Sequence, residues 1–164
     1  MRAELFTVAS RGPGKLSTMA RPRGGEWLRD EMAALHEAGA EILVSMLAPS
    51  EAQELGLAGE AEAAEAAGIS FTALPVPDRG TPAVAAFCAL ARRLADELGS
   101  GKHIVVHCRM GIGRSSMLAV AVLMARGSRE DEAWVAVGKA RGLDVPDTPQ
   151  QKRWVHNAMD GEIP

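Results

Sequence analysis

The stretch VVHCRMGIGRS, residues 105–115, ends a run of strand formers in a histidine and a cysteine, His107 and Cys108. Two glycines follow, Gly111 and Gly113, and Arg114 stands six residues past the cysteine. A strand that stops at Cys108 and a helix that begins near Arg114 would put the thiol at the carboxyl edge of a sheet, where open α/β sheets hold ligands. Glycine lets the backbone curl until successive N–H groups point inward as an anion nest. The first turn of the next helix adds its positive end to the same spot. The Arg114 fork suits two oxygens of an oxyanion. Donors and positive charge around a thiol favour its anion. The spacing therefore predicts a loop that holds a phosphate-like group against a sulfur nucleophile, the arrangement that covalent phosphoryl transfer needs.

The elements around this loop alternate. Residues 4–10 and 15–20 read as two short strands about the turn RGPG, followed by a loop at 21–25. Residues 26–39 form an amphipathic helix with Trp27, Met32, Leu35 and Ala38 on one side and Gly39 at its end. The apolar run 41–47 predicts a strand covered on both faces. Ser50 is expected to cap a short helix, residues 60–68 a second one ending at Gly68, and 69–76 the next strand. Thr81 and Pro82 are expected to open a helix running to Gly99, with Val84, Phe87, Leu90, Ala91, Leu94 and Leu98 facing the core. Residues 103–108 form a buried strand, and 116–127 is apolar nearly all round, which predicts a central helix. Ser128 and Asp131 suggest a capping pattern for a helix over 128–142, and 148–159 is the last helix. Alternation of this kind means α/β, with a mostly parallel sheet flanked by helices on both faces. Residues 1–164 are read as one domain, without repeats or a linker.

A chain of 164 residues can bury one substantial core without disulfides. Its 47% hydrophobic and 24% charged residues argue against a disordered tail or a coiled coil. The net charge of −3 gives no global affinity for nucleic acid, so any anion site must be local. MRAELFTVAS lacks the long apolar core of a leader and no run reaches transmembrane length, so a cytoplasmic protein with free thiols is expected. Cys88 lies just off the apolar face of its helix and reads as a packed thiol. His36 and His103 read as surface or strand-edge residues and His156 as part of a polar helix face, with no pairing that suggests a metal.

HCRMGIGRS resembles the His-Cys-x5-Arg-Ser signature of the protein tyrosine and dual-specificity phosphatases. MARPRGGEWLRDE, PVPDRG and VPDTPQQKRWV extend the likeness to a bacterial group of compact phosphatases near the cyclin-dependent-kinase-associated phosphatase branch. The resemblance implies that Cys108 attacks phosphorus and forms a phosphocysteine, while His107 orients the loop and keeps the thiol acidic. It implies that the amides of Arg109, Met110, Gly111, Ile112, Gly113 and Arg114 hold the phosphoryl oxygens together with the Arg114 side chain. Ser115 would stabilise the thiolate as it leaves. Asp78, the one acid in LPVPDRGTP and thirty residues before Cys108, matches the general acid on an upstream loop.

In the stretch that positions water in such relatives, Asp147 stands in place of a first glutamine and Gln151 matches the second. Gln151 is the expected water-holding residue, because its amide both donates and accepts, and Asp147 is expected to be a loop or capping residue. Arg21, Arg23 and Arg79 are candidates for substrate contact, and Lys139 and Arg141 for complementing a helix end. The chain has no tyrosine to grip a phosphotyrosine ring, and its loop has no lysines of the kind found in phosphoinositide phosphatases. The implied enzyme is a metal- and cofactor-free monomer acting on phosphotyrosine in proteins or peptides, with phosphoserine and phosphothreonine as further substrates. It would bind neither nucleic acid nor membrane. Two alternatives stay open: a phosphatase for a small-molecule or other non-protein phosphate, and a non-catalytic phosphate-binding module.

Overall fold

The computed structural model describes residues 4–160; residues 1–3 and 161–164 of the expected 1–164 domain lie outside the described residues. Residues rich in Val, Ile and Leu pair into a five-stranded sheet of order β1-β2-β5-β3-β4. Its strands are β1 (Phe6–Thr7), β2 (Lys15–Met19), β3 (Ile42–Ser45), β4 (Ser70–Ala73) and β5 (His103–His107). Only the β1–β2 pair is antiparallel. Strand β5 lies at the centre, with Val106 beside Thr18 on one side and Val44 on the other. All four parallel strands end on the same edge as His107, the last residue of β5.

The period-two alternation of the strands divides the core between two faces. Leu16, Ile42, Val44, Ile104 and Val106 point to one cluster with α4 (Val84–Gly99), α5 (Arg114–Ala125), α6 (Glu130–Arg141) and α7 (Pro149–Met159). Met19, Leu43 and Val105 point to the other, with α1 (Leu28–Glu37) and α3 (Glu60–Ala66). The short α2 (Pro49–Glu54) follows β3. The expected α/β architecture is thus present, and α5 is buried nearly throughout, as an all-round apolar helix must be.

Several local expectations fail for identifiable reasons. Strand β1 is limited to Phe6 and Thr7; the Val8 N–H adds one bond to the Leu16 carbonyl at 2.8 Å, and the chain through Pro13 then leaves the ladder. Trp27 belongs to a 3-10 turn and is 48% exposed, so the buried stripe of α1 is Leu28, Glu31, Met32 and Leu35. Ser50 lies inside α2; Ala48 is its cap, and the Glu51 side chain accepts the Ala48 N–H. Thr81 and Pro82 precede α4, whose cap is the extended Ala83. Ser128 does not cap α6: its N–H closes the end of α5 on the Leu123 carbonyl, and Arg129 takes the cap position. His103 is buried, with Nε2 2.9 Å from Ser17 Oγ, and burial pushes its pKa down. Cys88 is the expected packed thiol, its Sγ 3.7 Å from the Ala158 carbonyl.

Candidate active site

Residues 108–113 leave the end of β5 as a loop and enter α5 at Arg114, with Gly113 as its cap. Gly111 adopts φ +72°, and a Cβ there would come within 3 Å of the Met19 and Ala20 backbone. Both conditions demand glycine. At Gly113 the constraint is weaker: a Cβ would displace the carboxylate tip of the exposed Asp147 and lie 3.1 Å from Gln151 Oε1. The loop is pinned on one side by the Arg21 N–H, which donates to the Arg109 carbonyl at 3.1 Å. On the other, Arg141 donates from Nε to the Gly111 carbonyl and from Nη2 to the Met110 carbonyl, both at 3.2 Å. Arg141 holds these two carbonyls from outside, while its guanidinium stacks 4.4 Å from the Phe6 ring centroid.

Cys108 is buried at the floor of this loop, 3.2 Å from Ser115 Oγ. The thiol donates in that pair, whereas a thiolate would receive the serine hydroxyl. His107, fully buried, has Nδ1 3.1 Å from the Cys108 carbonyl and Nε2 2.6 Å from Glu60 Oε2.

Arg114 is 1% exposed, an unusual burial for a guanidinium, and its donors are matched by acceptors from four residues on three segments. Nη1 donates to Glu51 Oε1 at 2.7 Å and to the Val76 carbonyl at 2.8 Å, with the Met46 carbonyl at 3.4 Å. Nη2 donates to Glu51 Oε2 and to Asp78 Oδ1, both at 3.0 Å. Burial works against the Arg114 charge, but Glu51, Cys108 and Asp78 more than offset it and raise the pKa. The Arg114 hydrogen bonds hold the Glu51 carboxyl below its ordinary range against the opposing effect of burial. Arg109 adds a longer contact to the same carboxylate, 3.5 Å from Glu51 Oε2.

Asp78 projects from the segment between β4 and α4 with its side chain 55% exposed. That segment turns through the Gly80 N–H, which donates to the Pro77 carbonyl, and Arg79 adopts φ +60°. Gln151 ties the same segment to α7: its Nε2 donates to the Gly80 carbonyl at 3.1 Å, and its Oε1 accepts the Thr148 N–H at 3.2 Å. Thr148, not Asp147, is the cap of α7.

The sequence-derived set Cys108, Arg114, Asp78, Ser115, His107 and Gln151 is therefore gathered at one sheet edge, with Arg109, Met110, Gly111, Ile112 and Gly113 forming the loop between. Met110 is 59% exposed at its rim. Arg79 lines a cleft beside the site together with Gln150, Arg153, Trp154 and Asn157. Arg23 is otherwise engaged: Glu31 accepts both its Nε–H at 2.9 Å and its backbone N–H, and Trp27 lies under its guanidinium. The Arg21 side chain folds onto the Pro22 carbonyl at 3.2 Å. Sequence reasoning passed over Glu51 and Glu60 and gave Arg141 only a helix-end role. No local signal marks these two acids, whose partners lie 63 and 47 residues away.

A thiol at the end of the central parallel strand, an arginine that closes a glycine loop, and an aspartate reaching the same guanidinium define a phosphate-loop protein of the cysteine-dependent phosphatase class. The family model described as Tc-R-P, a polymorphic toxin system DSP-PTPase phosphatase, matches residues 17–128, and the chain belongs to that family. Among curated proteins it is similar to cyclin-dependent kinase inhibitor 3 of Sus scrofa and of Homo sapiens, each 27% identical over 88 residues, 52% of this chain and 42% of theirs. The chain thus spans less than half the length of these relatives. Its fold is that of kinase associated phosphatase (KAP), solved with its catalytic-site cysteine replaced by serine: TM-score 0.87, 18% identity, covering 98% of this chain and 96% of that one. The active form of Tk-PTP matches with TM-score 0.74 and 24% identity over 96% of this chain and 98% of that one.

Proposed function

We propose that the protein is a phosphatase that hydrolyses phosphotyrosine in proteins or peptides, and also phosphoserine and phosphothreonine, through a phosphocysteine on Cys108. The observation that carries this reading is the meeting at Arg114 of the glycine loop above Cys108 and the Asp78 carboxylate, 3.0 Å from Nη2. The Cys108 thiolate attacks phosphorus, the sulfur–phosphorus bond forms and the bond to the leaving oxygen breaks. Asp78 gives its proton to that oxygen. Loop amides and Arg114 neutralise the charge that develops on the equatorial oxygens. Water then attacks phosphorus, Asp78 takes back a proton, and phosphate leaves as the thiolate is regenerated with the Ser115 hydroxyl donating to sulfur. None of these steps draws on a metal or cofactor.

The half-exposed Asp78 and the exposed rim residue Met110 favour a phosphorylated side chain presented from outside over a fully enclosed small molecule. A reducing cytoplasm goes with this reading, since the nucleophile must stay a free thiol, and one monomer supplies every group named. The test is turnover of phosphopeptides, phosphoinositides and nucleotides without added metal, by the wild type and Cys108→Ser. Peptide hydrolysis that the serine variant lacks supports the reading. Substantial turnover by Cys108→Ser would sink the phosphocysteine, and a preference for inositides or nucleotides would replace the substrate class.

A further inference from the structure

We propose that Glu60 is a positioning residue for the nucleophile, acting through His107. The proposal rests on the phosphatase reading, but its geometry stands apart from any substrate. His107 is the last residue of β5 and 0% exposed, and Glu60, in the first turn of α3, is 2% exposed. A buried carboxylate facing a buried imidazole is costly to assemble unless each satisfies the other. Here each does, with Nε2 and Oε2 2.6 Å apart.

The opposite ring nitrogen decides the proton arrangement. The Cys108 carbonyl, 3.1 Å from Nδ1, can only accept, so Nδ1 carries hydrogen. Nε2 and Glu60 then share one further proton: the pair is either imidazolium with carboxylate or neutral imidazole with carboxylic acid. In both forms Nδ1–H stays on the carbonyl of the residue that bears the thiol. A single hydrogen bond fixes how the chain turns out of β5, and with it the direction of the Cα–Cβ bond of Cys108. The Met46 N–H, which donates to the His107 carbonyl at 3.0 Å, clamps the other side of the same peptide turn. Without a partner at Nε2 the ring is held by the Nδ1–H bond alone; it can swing off the carbonyl, and once off it can take the Nε2–H tautomer.

Glu60→Gln preserves the arrangement, because its amide N–H can donate to Nε2 of the neutral Nδ1–H tautomer. Glu60→Ala does not. The experiment measures the ¹⁵N shifts of the His107 ring, vanadate binding, and kcat and KM, on the full chain with both variants. The expected result is an Nδ1–H ring in the wild type and in Glu60→Gln, with kcat of that variant within roughly threefold. In Glu60→Ala the Nε2–H tautomer should become populated, and kcat should fall roughly 10–100-fold with a much smaller change in KM, the scale of a slightly misplaced reacting group. Vanadate binding should weaken with kcat. A wild-type ring without hydrogen on Nδ1, a Glu60→Ala protein that keeps its tautomer and kcat, or a Glu60→Gln protein as impaired as Glu60→Ala would overturn the proposal. Should Glu60→Ala not fold, Glu60→Gln decides alone: loss of the Nδ1–H form or a tenfold fall in kcat rejects it, and retention of both supports it. The ring shifts and vanadate binding need no turnover, so a wild type without phosphatase activity would refute the function and leave this assignment separately judged.

Discussion

Glu51 grips Arg114 with both carboxylate oxygens, at 2.7 and 3.0 Å, from the first turn of the six-residue helix that follows β3. The pair fixes the plane of the guanidinium before any oxyanion arrives, which lowers the ordering cost of binding. Glu51→Gln keeps one oxygen and loses the second acceptor and the charge. Oxyanion affinity should fall roughly tenfold, and the fold should lose about 1.5–3 kcal/mol, the scale of hydrogen bonds to a charged group. The pH dependence follows from the lowered Glu51 pKa. A depressed carboxyl stabilises the fold above the ordinary glutamate range, and that contribution disappears as pH falls through its folded value. Urea denaturation of both proteins from neutral to acidic pH should therefore show their difference shrinking towards acid. A constant difference would mean that Glu51 matters for shape and not for charge.

Asp78 donates its proton in the proposed reaction, yet its carboxylate also occupies an Arg114 N–H. Asp78→Asn should separate the two roles. Turnover of an alkyl phosphate should drop roughly 10²–10⁴-fold, the usual worth of a positioned acid, and an activated aryl phosphate should suffer much less. Vanadate should bind at least as tightly as to the wild type, because a negative charge has left the site. Equal slowing of both substrates would show that Asp78 is not the acid.

The nucleophile loop was legible because its chemistry is local: strand formers, Cys108, two glycines and Arg114 lie within one short stretch, and strand–loop–helix geometry follows from their order. Asp78 was legible only because Cys108 gave a turn aspartate a partner. Glu51, Glu60 and the loop role of Arg141 were not, and the reason is physical. Charges in Ala- and Glu-rich helices look solvated until the tertiary fold brings their partners from 63, 47 and 30 residues away. Helix starts failed in the same way. Ser50, Thr81 and Ser128 carry capping side chains, but α2 opens at Pro49, α4 opens after Ala83, and the closing bond of α5 takes Ser128.

Arg141 braces the Gly111 and Met110 carbonyls from outside the loop. Arg141→Met keeps the apolar contact with Phe6 and removes both bonds. Losing two neutral-acceptor hydrogen bonds at about 1 kcal/mol each, partly replaced by water, should cost oxyanion affinity roughly tenfold. Titration with vanadate checks this directly. Unchanged affinity would show that the loop holds its shape without the brace.

Arg79 and Arg153 line one cleft beside Asp78 with Trp154 and Asn157. Two exposed cations beside the segment that carries Asp78 should favour substrates with acidic neighbours. Arg79→Ala combined with Arg153→Ala should raise KM for an acidic phosphopeptide several-fold, and leave p-nitrophenyl phosphate, which carries no acidic neighbours, unaltered. Raising the salt concentration should imitate the double variant. A uniform loss on both substrates would place the effect in the loop instead of the cleft.

The second half of the reaction needs a water in line with sulfur, and two side chains crowd Gly113 where such a water would approach: the Asp147 carboxylate and Gln151 Oε1. Gln151 is fully buried, accepts the Thr148 N–H and donates to the Gly80 carbonyl, which leaves it one N–H and one lone pair for water. Asp147 is exposed and, as a carboxylate, would repel both a phosphoryl group and hydroxide. Gln151→Ala should therefore slow breakdown of the phosphocysteine more than its formation, and rapid-quench kinetics should show a burst of leaving alcohol before a slower steady state. Because Gln151 also anchors the Asp78 segment through Gly80, the amplitude of the burst matters more than the loss in kcat. Asp147→Ala should show no burst and should bind vanadate more tightly, since it removes a negative charge from the loop. Phosphoenzyme accumulating in Asp147→Ala and not in Gln151→Ala would give the water to the aspartate.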